Sequence, residues 1–419
     1  MECEYFYVII LSYRREKRFY ERVQGMKLLR FIVKGINLYQ EDVLEMEFIN
    51  QQRVCSLDLD EEVSHLFNRV YLKNIIGCIG INAAGKTTTL NMVSFILKFY
   101  LGKQKLDVQS FKGILDNFKE KVEIEAYFYD KTEGQIVKII TELTTQEEYE
   151  LKILEEKIFF KRISQGINKK TIYDFNQEPK ITRTELPEDG KQFLLEDVSI
   201  FKAVYHNKVI VKDTLLSTNL NLMSLMDINE TAFLTEILQY LDSSIEYLKE
   251  IKSGKKLNLY ELKFYNQDPK VYSLIDLQEV ISSGTIKGIK IFSTALEILV
   301  EGGYMIIDEI ENHLNKSIVI SLIELFKSSV NKNKATLIFT THYTEIIDNF
   351  KRKDILYVVQ KDGRQIAITN LASKDIRNDV SLSALYLNSK LDNLSTSPKY
   401  RSYIHLKRAI KEQVYSKDD

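Results

Sequence analysis

The sequence holds 419 residues, 44% hydrophobic and 28% charged, which is enough apolar material for one large domain with insertions or for two lobes. Lys and Arg number 58 against 59 Asp and Glu, so a net charge of -1 excludes a global basic field that draws the chain onto nucleic acid, although a local patch is still allowed. Cys3, Cys55 and Cys78 lack metal-ligand spacing and read as reduced thiols, and no apolar run approaches the roughly 18 residues of a membrane span; the expectation is a soluble, cytoplasmic protein with no membrane partner.

Residues 1–25 carry a basic run, Arg14, Arg15, Lys17 and Arg18, before Met26 opens the strand-like KLLRFIVKGINLY. Two readings stand for this extension: a segment upstream of a true start at Met26, or a real additional strand and helix. Leu28 to Val33 and Val43 to Phe48 then read as strands joined by a polar connection. Asn74 to Ile79 is a compact apolar run, the mark of a buried strand, and Thr87 to Leu101 spaces Leu90, Val93, Ile96 and Leu97 as a helix does. From about 121 to 175 apolar and polar residues alternate at period two, as in half-exposed antiparallel strands. From about 190 to 265 the patterning turns helical, for example over Thr231 to Tyr247, and the Lys-rich 252–256 reads as a solvated turn. Short buried strands return at Tyr304 to Ile307 and Ala335 to Phe339 with a helix, Ser317 to Ser328, between them. A hairpin about Asp362-Gly363 and a polar helical tail beyond Ser373 complete the chain.

Chemistry concentrates in four strings. Gly80-Ile-Asn82-Ala83-Ala84-Gly85-Lys86-Thr87-Thr88 matches G-x-x-x-x-G-K-[ST], with a strand before it and a helix after it. Its glycines let backbone approach a phosphate chain, its amides and the helix N-terminus attract anions, Lys86 reaches β and γ oxygens, and Thr87 offers a hydroxyl to Mg²⁺. ATP and Mg²⁺ are therefore the expected ligands. Tyr304 to Asn312 is an apolar strand ending in carboxylates: Asp308 is suited to hold magnesium and Glu309 to polarise the attacking water. His342, in Thr340-Thr-His342 after the next apolar strand, can hydrogen-bond a γ-phosphate or the lytic water. A lone histidine says little; its place in the series carries the assignment. Ser283 and Gly284, in Ile281-Ser-Ser-Gly-Thr285 before a helix, offer a second anion-binding surface.

Taken in order, these strings resemble the ABC-type ATPase superfamily: Walker A, signature, Walker B with its glutamate, and switch histidine. Ser-Ser-Gly-Thr departs from the transporter signature LSGGQ and, beside Asp-Glu-Ile-Glu-Asn, is closer to the SMC-like and overcoming-lysogenization-defect-like soluble ATPases. Within these the chain is similar to bacterial AAA-family ATPases of phage defence and abortive infection. The resemblance covers about residues 26–100 and 275–370. It implies an α/β P-loop NTPase fold of ABC-ATPase type with an antiparallel β side sheet and a helical insertion. The implied organisation is an N-terminal extension (1–25), the first half of the ATPase domain (26–120), an inserted side sheet and helical lobe (121–270), the second half (271–372) and a helical tail (373–419). It also implies an ATP-dependent homodimer in which Ser283 and Gly284 of one chain face nucleotide held by Lys86 and Thr87 of the other, a possible effector partner encoded nearby, and a possible nucleic-acid ligand. Gln192 is the one candidate for the family's glutamine loop. Two other classes stay open: the ATP-binding subunit of a membrane transporter, against which the length and signature argue, and a nuclease. For the nuclease, the tail supplies Asp375, Asp379, Asp392, Asp418 and Asp419 but no glutamate-plus-DxD cluster on strands.

Overall fold

The computed structural model describes residues 25–55, 61–102, 105–145, 150–188, 194–205, 211–213, 234–251, 259–312, 314–374 and 404–410, with Gly190, Ser381 and Ser383. Residues 1–24, Gln192, the 252–256 turn and the five tail aspartates lie outside them, so their assignments find no counterpart here.

The chain begins as an antiparallel pair, Met26–Ile36 (β1) and Val43–Glu47 (β2), followed by a small hairpin of Val63–Phe67 (β3) and Val70–Lys73 (β4). The wholly buried Ile75–Ile79 (β5) leads through the glycine loop into the helix Lys86–Leu101 (α1). After Lys112–Leu115 (α2) come three long strands, Phe118–Asp130 (β6), Gln135–Thr145 (β7) and Leu151–Arg162 (β8), then Ile181–Thr182 (β9). Ile200–Tyr205 (α3), Val211–Asp213 (β10) and Leu234–Leu241 (α4) precede a three-stranded sheet of Ile245–Ile251 (β11), Leu259–Phe264 (β12) and Lys270–Ser273 (β13). Leu274–Val280 (α5), Ser283–Glu301 (α6), Tyr304–Ile307 (β14), Lys316–Lys327 (α7), Thr336–Thr341 (β15) and Thr344–Ile347 (α8) follow, and Leu356–Asp362 (β16) and Gln365–Asn370 (β17) form the hairpin expected about Gly363.

Two large sheets define an α/β architecture. One is antiparallel, in the order β2-β1-β6-β7-β8-β9, so the side sheet takes its first two strands from the N-terminal region as well as from residues beyond 118. The other runs β10-β14-β15-β5-β16-β17, with every pairing parallel except the last. A parallel sheet puts the carboxyl ends of its strands at one edge, and ligands of such sheets bind there. The sequence order β5, β14, β15 becomes the spatial order β14-β15-β5, so three separated strings end side by side.

Alternation along the parallel strands sends side chains to both faces, each covered. Ile76, Cys78, Tyr304, Ile306 and Ile338 pack with α1 and the antiparallel sheet. Met305, Ile307, Leu337, Phe339 and Leu356 pack against α6 and α7. Each fully buried Leu, Ile or Phe of these layers contributes about 1.5–3 kcal/mol relative to exposure. Helix α6 spans two cores: Ile286 and Ile289 pack in a small cluster with Leu238, Leu248 and Leu262, while Ala295, Ile298 and Leu299 lie under the parallel sheet. At its far end the buried Lys27 ammonium donates to the carbonyls of Gly302, Asn333 and Lys334, tying β1 to the negative end of α6.

The helical reading of 190–265 needs correction. Leu234–Leu241 is helical, but Ile245 to Ile251 is a strand. A register shift between Ile245 and Tyr247 breaks its period-two alternation and leaves Ile245, Leu248 and Ile251 at helix-like spacing.

Candidate active site

Strand β5 ends at Ile79 and the chain turns at once. A Cβ on Gly80 would drive into the Val359 carbonyl oxygen of neighbouring β16, so only glycine lets the loop leave the sheet here. Ala83 adopts φ 61° and Gly85 φ 100°, and Gly85 is the N-cap of α1 with no side-chain cap. The first-turn amides of α1 therefore have neither an intrahelical nor a side-chain partner at their N-cap, the arrangement that receives an anion. Asn82 and Ala83 are exposed at the loop tip, Ala84 and Lys86 are buried, Thr87 is exposed, and Thr88 is half-buried in the same helical turn.

Lys86 Nζ donates to Gly80 O and Ile81 O, both at 2.9 Å, and lies 3.3 Å from His342 Nδ1. Burial pushes its ammonium below the ordinary lysine range, opposed by the nearby carboxylates Asp308, Glu309 and Glu311. Thr87 Oγ1 donates to Asp308 Oδ2 at 2.7 Å, and Thr340 Oγ1 donates to Asp308 Oδ1 at 2.5 Å. Both carboxylate oxygens are thus oriented by hydroxyls, one from each neighbouring element.

The turn after β14 is stapled to the end of β15. The N–H of Glu309 donates to Thr340 Oγ1 at 2.7 Å, and the N–H of Ile310 to Thr340 O at 3.0 Å. Glu309 is held at φ 47°, a left-handed conformation that costs a non-glycine residue on the order of 1 kcal/mol or more and persists only when its surroundings fix it. Its half-exposed carboxylate comes within 3.5 Å of His342 Nε2. Imidazole therefore spans Lys86 and Glu309, with Nδ1 facing a cation and Nε2 facing an anion. That favours the tautomer with its proton on Nε2.

Magnesium is a hard cation that takes oxygen ligands and commonly uses one or two protein groups with the rest from phosphates and water. The Thr87 hydroxyl and Asp308 carboxylate, 2.7 Å apart, supply that donor set, and among the described residues no group of three or more His, Cys, Asp or Glu side chains is placed to hold a metal ion by itself. The residues fit such an ion.

The structure thus brings Gly80, Gly85, Lys86, Thr87, Asp308, Glu309 and His342 together. Ser283 and Gly284 open α6, whose Ser282 N-cap hydroxyl accepts from Thr285 N–H at 3.0 Å. Ser283 is exposed, and among the described residues no hydrogen bond joins it or Gly284 to the glycine loop. Two residues went unassigned at the level of sequence. Thr340 organises Asp308 and Glu309, and Glu311 accepts the His342 N–H at 2.5 Å. A hydroxyl in the string before the histidine was the available signal for Thr340; Glu311 offered only a second acid two positions after Glu309.

Among the described residues no helix is long and apolar enough to cross a membrane. Residues 75–348, which run from β5 past His342, match the family described as "AAA domain, putative AbiEii toxin, Type IV TA system". None of the curated proteins matches the chain. Among solved structures the chain is similar to the SMC head bound to the C-winged helix domain of ScpA, at 13% identity and TM-score 0.44 over 83% of this chain and 98% of that one. It is also similar to the SMC head domain from Thermotoga maritima, at 10% identity and TM-score 0.40 over 82% and 98%.

Proposed function

We propose that the chain, which belongs to the AAA-domain family matched by residues 75–348, binds ATP at Gly80 to Thr88 and hydrolyses it to drive a dimer-coupled switch. The observation that carries this reading is the convergence of Lys86, Thr87, Asp308, Glu309 and His342 at the ends of three neighbouring parallel strands. Loop amides and the α1 N-terminus cradle the phosphates, and Lys86 exchanges its loop carbonyls for phosphate oxygens. Thr87 and Asp308 would hold magnesium, which when bound would neutralise charge developing on the phosphates. Glu309 orients water and takes its proton as the water oxygen bonds to the γ-phosphorus and the bond to the β–γ bridging oxygen breaks. His342 donates from Nε2 toward Glu309 or the γ-phosphate, keeping the water aligned.

The exposed start of α6 supports a composite site. Ser283 and Gly284 form a helix N-terminus that, among the described residues, makes no hydrogen bond to the loop of its own chain, and in the proposed dimer they meet the γ-phosphate held by a second copy. ATP binding then closes the pair and hydrolysis opens it. The family description supports a setting in bacterial anti-phage defence, with this chain as the ATPase or sensor and a nearby-encoded effector as its partner. The experiment is twofold. Purified protein should release phosphate from ATP only with Mg²⁺, and the intact native locus should lower phage plating efficiency unless Glu309→Gln is introduced. A locus that gives no protection removes the defence role while leaving the ATPase intact.

A further inference from the structure

Glu311 stands two residues beyond Glu309 and has no part in the reading above. Its Oε1 accepts the backbone N–H of His342 at 2.5 Å, while its Oε2 is buried with no hydrogen-bond partner among the described residues. Keeping a carboxylate oxygen dry and unpaired is costly, so the position is not a neutral filler. The turn after β14 does not need it for its own shape, because the amides of Glu309 and Ile310 already end on Thr340. Those bonds end on Thr340, two residues short of His342. Among the described residues of the turn, only Glu311 bonds the His342 backbone, through a charged acceptor that bonds more strongly than a neutral one. The ring of that residue stands 3.3 Å from Lys86 Nζ on one side and 3.5 Å from Glu309 on the other, so any rotation of its backbone displaces both contacts.

We propose that Glu311 is a positioning residue: its carboxylate pins the His342 amide to the turn after β14 and thereby fixes the imidazole between Lys86 and Glu309. The inference rests on the ATPase reading of the site, and its effect passes through His342 rather than through contact with the nucleotide. Its carboxylate, with those of Asp308 and Glu309, opposes the lowering that burial imposes on Lys86.

The test is steady-state phosphate release by the full-length chain. Glu311→Ala should lower kcat about tenfold or more with the ATP KM within about threefold of wild type, and Glu311→Gln, which keeps an acceptor oxygen, should recover kcat to within about threefold. On a His342→Ala background, Glu311→Ala should cost less than about twofold, because the group it positions is already gone. A Glu311→Ala chain with wild-type kcat, a Gln variant as slow as the Ala variant, or an equal loss on both backgrounds overturns the proposal. If the alanine variant melts early, Glu311→Met, which fills a similar volume without an acceptor oxygen, carries the same test on both backgrounds. A wild-type chain without ATP turnover removes the parent reading and this one with it, whereas turnover with an indifferent Glu311 removes this one alone.

Discussion

Thr87 and Asp308, 221 positions apart in sequence, share a 2.7 Å hydrogen bond from hydroxyl to carboxylate. The pairing follows from topology: β14 and β5 flank β15, and Thr340 at the end of that central strand takes the other Asp308 oxygen at 2.5 Å. Asp308 Oδ2 is thus the oxygen that can exchange a hydroxyl for a cation while Oδ1 keeps its orientation.

Asp308→Asn should therefore hold much of its geometry and lose its charge. Phosphate release should fall on the order of 100-fold, and the Mg²⁺ concentration for half-maximal rate should rise. Thr87→Ala should raise that concentration with a smaller loss of rate. A magnesium titration of each variant checks both, and an unchanged magnesium requirement in Asp308→Asn would show that the ion is held elsewhere.

Gly85 combines φ 100° with a close neighbour, since an added Cβ would lie 2.5 Å from Ile366 Cδ1. Gly85→Ala should lose about 1–3 kcal/mol of stability from backbone strain, with a further loss as Ile366 is displaced. Urea unfolding measures the first effect and titration with a fluorescent ATP analogue the accompanying loss of affinity. A melt indistinguishable from wild type would mean the loop relaxes at no cost.

Glu156, fully buried in β8, accepts from Ser199 Oγ and from the N–H of Ile200, and burial pushes its carboxyl from 4.5 up to about 7. A pKa higher in the fold than in the unfolded chain gives stability that is full below about 4.5 and is lost as pH rises through about 7. The stability lost across that window is on the order of 3 kcal/mol. Glu156→Gln should match wild type near pH 5 and exceed it at pH 8, so the difference between the two in urea melts should grow with pH. A constant difference would show that Glu156 stays ionised throughout.

Glu309→Gln retains the shape of the site but cannot take a proton, so ATP should be bound and not consumed. If Ser283 and Gly284 of a second copy complete the site, this variant with ATP and Mg²⁺ should run at twice the mass of one chain by light scattering. Adding Ser283→Arg should return it to a monomer. A monomeric Glu309→Gln chain saturated with ATP would contradict the sandwich.

Much of this arrangement was legible in the amino-acid order because phosphate chemistry prescribes residue types at set intervals. Gly80, Gly85, Lys86 and Thr87 can be read from one string, and the buried runs before Gly80 and Asp308 announce β5 and β14. What escaped was geometry that needs a partner. Val211–Asp213 joins the parallel sheet as an edge strand only three residues long, too short to carry a period. The strand Ile245–Ile251 mimics a helix because of the register shift at Ile245 and Tyr247. Glu311 and Thr340 gain meaning only once β14 and β15 lie side by side. Ser283 and Gly284 were identifiable as a helix start, while the nucleotide they are proposed to meet belongs to no element of their own chain.

The central claim is that Lys86 and its loop are where ATP is bound and cleaved. The most direct measurement is phosphate release by wild type and Lys86→Ala, side by side, with excess ATP and Mg²⁺. The account predicts turnover by wild type and a loss of at least 100-fold, to background, in the variant, whose fold should survive because the Lys86 ammonium hydrogen-bonds, among the described residues, to loop carbonyls and His342. Turnover by a folded Lys86→Ala chain at the wild-type rate would contradict it.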